Sequence, residues 1–209
     1  MSVTIGYPQM ASHKQLDTAT EQVLVEKCRR QNFDAFGQIV DAYQSRVLGF
    51  VRGMVHNSEE ALDITQEVFI KAFQAFARFD GRSSLRTWLF RIAYNLCVDR
   101  SRKLGRSPEE FSVDAVGSDG ESWEMPDERL NPQNMILDAE LIGHVHSGVQ
   151  AMSEKLRTVL LLHDQEEMSY EEIAATVNVP IGTVKSRLFL ARSFLQKYLA
   201  EYMKGSELV

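Results

Sequence analysis

Three groups of side chains in this sequence have the types and spacing to do recognition chemistry. On the stretch from Met168 to Tyr198, Lys185, Ser186 and Phe189 share one side, with Arg187 and Arg192 at its flanks. Ammonium, hydroxyl and guanidinium groups are donors for base edges or phosphates, and a phenyl ring suits a thymine methyl. Between Arg78 and Lys103, the residues Thr87, Arg91 and Asn95 recur one turn apart, followed by Arg102 and Lys103 and preceded by a loop carrying Ser83 and Ser84. Arginines and an amide on one face, fed by a serine-rich loop with aromatics close by, suit unpaired nucleic acid, because charge tracks the backbone while a pocket accepts a base. Trp88, Phe90 and Tyr94 have the competing reading of plain core, which the spacing favours for Trp88. In the third group, Asp63, Gln66, Glu67 and Lys71 lie off the apolar stripe of SEEALDITQEVFIKAFQAF. Such a face is merely solvated unless a partner covers it.

The elements that must position these groups are helices. Ser169 followed three residues later by Glu172 is a capping box that launches the run Ile173, Ala174, Val177. Asn178 tolerates a turn, and beyond Pro180 and Gly182 the residues Val184, Leu188, Ala191 and Leu195 form the stripe of a second helix packed on one side. The pattern reads as a helix-turn-helix, although an ordinary helical hairpin has the same spacing. Leu85, Trp88, Leu89, Ile92, Ala93 and Leu96 give the Arg91 helix its buried stripe after the loop at Asp80-Gly81. A helix starting at a cap around Ser58 buries Ala61, Ile64, Val68 and Ala72, with Phe69 and Phe76 beside them. Before it, Val23, Leu24, Cys28, Phe33, Phe36, Ile39, Val40, Tyr43, Val47, Phe50 and Val51 predict two packed helices broken near Gln31-Asn32. No convincing strand and no repeat of solenoid length is visible.

With 209 residues, 44% of them hydrophobic and 25% charged, the chain has material for one large or two small domains. No apolar run approaches the ~20 residues that span a bilayer, and the N-terminal stretch lacks the apolar core of a secretory signal, so a cytoplasmic address without membrane insertion is expected. Cys28 and Cys97 read as buried free thiols. There is no cluster of His and Cys ligands, no Gly-rich phosphate loop and no nucleophile elbow; His144 and His146, two apart on a helix, face different ways. No metal, no cofactor and no enzymatic activity is expected.

A net charge of -6 argues against a stand-alone DNA binder. Its distribution says more. From Arg82 to Arg106 seven basic residues face Asp99 alone, whereas from Ser107 to Glu140 ten acids face Arg129 alone. Two basic helical surfaces separated by an acidic connector suggest a protein that binds DNA weakly by itself and needs a partner.

Taken in order, DITQEVFIKAF from Asp63, TWLFRIAYN from Thr87 and SYEEIAATVNVPIGTVKSRLFLAR from Ser169 resemble the motifs of bacterial RNA polymerase sigma factors of the extracytoplasmic-function (ECF) type. This is the compact kind with only the second and fourth sigma domains. The matching parts run from about Asn32 to Tyr198. The implied fold is all-α, with two small helical domains joined by an acidic flexible linker. A flexible tail would occupy 1–20, sigma domain 2 residues 21–105, the linker 106–131, and sigma domain 4 with its helix-turn-helix 132–204.

The resemblance implies a promoter-specificity subunit of core RNA polymerase. Asp63, Gln66 and Glu67 would dock on the beta-prime clamp helices, and domain 4 would meet the beta flap. Phe79, Ser83 and Ser84 of the loop, with Arg91 and Asn95, would capture an unstacked minus-10 base of promoter DNA. Lys185, Ser186, Arg187 and Phe189, with Arg192 beside them, would read the minus-35 element. The linker would thread toward the RNA exit path, and an anti-sigma factor would hold the protein inactive. Leu190 stands where many relatives have arginine, Leu62 where the docking helix is often acidic, and Ser153 and Glu167 where proline and glycine are frequent. The alternative is an autonomous helix-turn-helix regulator with residues 20 to 105 as a sensor or dimerisation domain; it would bind duplex DNA without polymerase.

Overall fold

Local hydrogen bonds at the helix starts set the architecture. The computed structural model describes residues 16–105 and 139–206, among which there are eight α-helices. The expected linker at 106–131 and most of the expected tail lie outside the described residues. Helix α1 (Thr18–Arg29) starts within the stretch expected to be tail, because the Asp17 carboxylate accepts from the Thr20 amide at 2.9 Å and from its hydroxyl at 2.6 Å. Helix α2 (Phe33–Met54) is capped by Asn32, whose side chain accepts from the Ala35 amide at 2.8 Å. Helix α3 (Ser58–Ala75) is capped by Asn57 and not by Ser58, since the amide oxygen reaches the N–H groups of both Glu59 and Glu60. A single tight turn at Phe76–Arg78 leads to the loop before α4 (Leu85–Lys103), which Ser84 caps. Arg100, Arg102 and Lys103 then complement the negative end of the α4 dipole.

These four helices share a core of Ile39, Val47, Phe50, Val68, Leu89, Phe90 and Ala93, all buried. A row of aromatic edge contacts runs beside it from Phe36 through Phe73 and Phe76 to Phe79 and Trp88. Trp88 is half-buried against the core, as expected. Two residues expected in the stripe are not buried. Phe33, at the first position of α2, stacks one face on Phe73 at 4.9 Å and leaves the other open, while Val23 points away from Leu24 and Cys28.

The second half contains α5 (Ala139–Ala151), α6 (Glu154–Leu160), α7 (Tyr170–Val177) and α8 (Ile181–Ser206). α6 continues through one π-turn, Leu161–Gln165. The capping box forms as expected, with Ser169 Oγ accepting from the Glu172 amide at 3.2 Å and Glu172 accepting from the Ser169 amide at 2.9 Å. Val184, Leu188, Ala191 and Leu195 are buried where α8 packs on α6 and α7.

Helices α1, the α6 extension and α7 are each followed by a left-handed residue, respectively Gln31 (φ 58°), Glu167 (φ 53°) and Asn178 (φ 56°). Asn tolerates this region; a glutamate side chain does not gain from it. The backbone at Glu167 is therefore one that calls for glycine. Glu167→Gly is expected to raise thermal stability by about 1 kcal/mol, the Cβ penalty less the extra chain entropy, visible as a melting temperature a few degrees higher; an unchanged or lower value would count against strain there.

The two halves pack together through α2 and α4. Arg157 on α6 is buried, and its hydrogen-bond partners are carbonyls and an amide oxygen. It donates to Met54 O at 3.0 Å, Gln150 O at 2.6 Å, Met152 O at 2.8 Å and Gln150 Oε1 at 3.2 Å. Burial pulls its pKa down from the ordinary value. Arg157→Met keeps much of the volume and removes every one of these bonds. It is expected to cost about 2–4 kcal/mol, read as a lower urea midpoint, because the carbonyls lose their donor.

Candidate nucleic-acid interface

On α8 the apolar stripe turns inward and so fixes what faces outward. Lys185, Ser186 and Phe189 are all exposed, and Phe189 keeps 55% of its surface in solvent, a large share for an aromatic ring. Lys185 Nζ lies 5.6 Å from the centre of the Tyr170 ring, which stacks in turn on His163 at 5.3 Å. A cation held over an aromatic face is partly ordered before any ligand arrives. Ser186 Oγ donates to Thr183 O at 3.1 Å, and Arg187 is half-buried at the edge. Arg192 departs from the expectation of a free flank. Its guanidinium is bound to buried Asp164 at 2.6 Å, with His163 Nδ1 at 3.2 Å, so its charge is neutralised within the fold.

On the other half the structure separates the residues expected to act together. Phe79 is buried, 4.9 Å from Trp88 and 5.9 Å from Phe76, and the Arg29 guanidinium lies 6.0 Å over its ring. Its carbonyl accepts from Arg29 Nε at 2.9 Å. It is a core residue that shapes the loop and presents no ring to a base. Ser84 is occupied as the cap of α4, 2.8 Å from the Thr87 hydroxyl, and Ser83 is half exposed. Arg91 and Asn95 do share one face of α4. They line a cleft of about 340 Å³ with Tyr94 and with Ala175 to Asn178 of the other half, and Arg91 Nη2 donates across it to Ala175 O at 2.6 Å.

Asp63, Gln66 and Glu67 are exposed on α3, with Glu67 in a solvated ion pair to Lys71 at 3.4 Å. Leu62 and Ile70 are also exposed, so that Leu62, Gln66 and Ile70 form a ridge four residues apart between the acids. The eight-residue spacing of Leu62 and Ile70, two helical turns, is the sequence signal that the two apolar side chains share this face.

A further cluster has no counterpart in the sequence motifs. Arg86 on α4 donates to both carboxylate oxygens of Glu172 on α7, at 2.7 and 2.8 Å, and to Glu166 O at 3.2 Å. Arg46 on α2 holds Glu166 through two nitrogens, at 2.8 and 2.9 Å. Glu166 is 2% exposed, and burial pushes its carboxyl up to about 7 even though Arg46 pulls the other way. Partial burial works against ionisation of Glu172 too, but Arg86 and the Ser169 amide hold it below the usual carboxylate value. Cys28 and Cys97 are buried free thiols raised by burial to about 11 and about 12, which leaves them unreactive. Among the described residues no group of His, Cys, Asp and Glu is placed to hold a metal, and no helix is long and apolar enough to cross a membrane.

Comparison with known proteins agrees with this geometry. Residues 39–107 match the model of sigma-70 region 2, and residues 145–195 that of sigma-70 region 4. The RNA polymerase sigma-H factor of Pseudomonas aeruginosa is 39% identical over 188 residues, covering 88% of this chain and 96% of that protein. The ECF RNA polymerase sigma-E factor of Escherichia coli K12 is 40% identical over 174 residues, covering 83% and 91%. Among solved structures, the sigma factor RpoE in complex with the anti-sigma factor NepR from Bartonella quintana superposes with a TM-score of 0.60 at 27% identity, covering 79% of this chain and 96% of that one. CnrH, in complex with the cytosolic domain of CnrY, shares the fold with a TM-score of 0.64 at 23% identity, over 87% and 98% of the two chains. The region 2 match disfavours reading residues 20 to 105 as a sensor or dimerisation domain. With a region 2 whose α4 face meets the helix-turn-helix of a region 4, the chain belongs to the sigma-70 family of bacterial RNA polymerase sigma factors, in its extracytoplasmic-function group, whose members direct core polymerase to promoters.

Proposed function

We propose that this sigma factor grips a promoter at two points. Residues 21–105 act as domain 2 and 132–204 as domain 4, with the acidic stretch 106–131 between them. Asp63, Gln66 and Glu67, joined by the Leu62 and Ile70 ridge, dock on the beta-prime clamp helices, and domain 4 meets the beta flap. Arg91 and Asn95, beside the loop with Ser83 and Ser84, hold an unstacked minus-10 base. Lys185, Ser186, Arg187 and Phe189 enter the major groove at minus-35. The observation that carries the reading is the orientation of α8, whose buried stripe leaves Lys185, Ser186 and Phe189 together in solvent.

The chain does no bond chemistry of its own and works in the cytoplasm. Trapping a base out of the duplex costs a few kcal/mol of stacking, offset by contacts to the flipped nucleotide. Polymerase supplies most of the attraction to DNA, which is how a chain of net charge -6 comes to act on a polyanion. RpoE was captured with the anti-sigma factor NepR and CnrH with the cytosolic domain of CnrY, and an anti-sigma factor is proposed to control this chain.

Transcription in vitro with core polymerase on a promoter library tests the reading, and an absence of added start sites would sink it. Within that assay Lys185→Ala or Phe189→Ala should weaken use of promoters carrying particular minus-35 base pairs by roughly 1–3 kcal/mol each; equal loss on every promoter would remove them from base reading. Leu190→Arg should add a phosphate contact, steepening the salt dependence of minus-35 binding by about one unit.

A further inference from the structure

Three elements converge on the ring of Tyr170. This residue opens α7 directly after the Ser169 cap and is half-buried. His163, from the π-turn that ends α6, stacks on it with ring centroids 5.3 Å apart and planes 27° from parallel. Lys185, near the start of α8, places Nζ 5.6 Å from the ring centre. His163 is itself fixed from behind. Its Nδ1 lies 2.7 Å from Asp164 Oδ1, and Arg192 Nη2 donates to the same oxygen at 2.6 Å. The Asp164 side chain has no exposed surface, whereas those of His163 and Arg192 are about a quarter exposed. A buried ion pair therefore anchors an imidazole, the imidazole backs a phenol ring, and the ring carries an ammonium group at the surface.

A lysine free in solvent spreads over many rotamers, and fixing it on a base edge costs much of that freedom. A ring face whose negative charge attracts the ammonium confines the side chain beforehand, so less ordering is left for the moment of binding. The ring also differs from a carboxylate in what it leaves behind. It cancels no charge, and the ammonium has three N–H donors, of which one at most is turned to the ring. Among the described residues Lys185 has no carboxylate partner, so it keeps for a ligand the charge that Arg192 gives up to Asp164.

We propose that Tyr170 is a positioning residue for minus-35 recognition, its ring, backed by His163, holding the Lys185 ammonium where a base edge can meet it. The proposal rests on the reading of α8 as the minus-35 reader. It divides the work among the groups: Lys185 touches DNA, Tyr170 places Lys185, and Asp164 with Arg192 fixes the His163 behind. Arg192, expected at the flank of the reader as a DNA contact, then serves it from inside the fold.

The test uses the full chain, free and with core polymerase. In the free chain, nuclear magnetic resonance of the lysine ε-methylene groups reads the ring directly. The Lys185 signals should lie upfield of those of exposed Lys27 and Lys103, move to join them in Tyr170→Leu, and stay upfield in Tyr170→Phe. With polymerase, transcription from promoters randomised at minus-35 reads the consequence, and Lys185→Ala identifies the base pairs that the lysine reads. At those base pairs Tyr170→Leu should lower discrimination about two- to fivefold, equivalent to an exposed cation–π contact of ~0.5–1 kcal/mol. Tyr170→Phe should retain it, and Tyr170→Leu should add no further loss to Lys185→Ala. Wild-type Lys185 signals that coincide with those of the exposed lysines overturn the ring contact without any variant. A loss in Tyr170→Leu that is equal on every promoter, or that persists beside Lys185→Ala, assigns Tyr170 to the fold or to direct contact and overturns the positioning. An equal loss in Tyr170→Phe does the same, since it points to the hydroxyl. The minus-35 reading fails in a different way: upfield Lys185 signals with no base preference lost in Lys185→Ala remove the lysine from base reading, and the proposal with it, while the ring contact stands.

Discussion

The arrangement of the two halves depends on how the C-terminal end of α2 is satisfied. A helix ends with carbonyls that have no partner within the helix, and burying them demands donors from elsewhere. Here the donors come from the other half of the chain. Gln150 Nε2 donates to Arg52 O, Gly53 O and Val55 O at 3.0, 3.1 and 3.4 Å, and Arg157 donates to Met54 O. These bonds are directional, so α5 and α6 are held at one height along α2. The glycines one turn apart on α2 then let Leu161 and Gln165 reach its backbone. Apolar contact alone would allow sliding; polar contacts to a helix end fix a register.

A contact of this composition is suited to exchange. The same carbonyls would otherwise be bonded to water, so each bond counts for only about 1 kcal/mol net. Glu166 is the member with most at stake, since a buried carboxylate is costly even when an arginine faces it, and its raised pKa is the sign of that cost. Such pairs contribute little to stability relative to apolar groups of the same volume, and what they add is a defined pairing. The packing of the two halves is therefore specified more by its polar register than by the strength of any one bond.

Much of each helix was legible from the sequence because periodicity and caps are local. The α8 stripe, the capping box at Ser169 and Glu172, the left-handed Asn178 and the buried thiols all follow from residues within a turn or two of one another. The Asn57 cap was missed by one residue because Ser58 is also a good cap, and only geometry shows which oxygen reaches two amides. Phe79 belongs to the core because Trp88 and Phe76 converge on it from another turn of chain, a contact that loop composition does not encode. Arg192 has the type and position of a phosphate contact, but its partner Asp164 lies 28 residues earlier. The pairs Arg86 to Glu172 and Arg46 to Glu166, with separations of 86 and 120 residues, leave no trace in any periodic pattern.

Those same pairs bear on the acidic balance of the chain. Affinity for DNA grows with the number of phosphates a protein neutralises, because each neutralised phosphate releases condensed counterions. An arginine already matched to a carboxylate gains less, since it must first lose that partner. Arg46 and Arg86 have internal carboxylates, Arg192 has Asp164, and Arg100 has Glu60 at 3.0 Å. Net charge therefore understates how poorly the chain attracts DNA, as part of its positive charge is internally matched. Matched in this way, Arg46 and Arg86 hold the two halves together, while Lys185 on α8 keeps its charge in solvent.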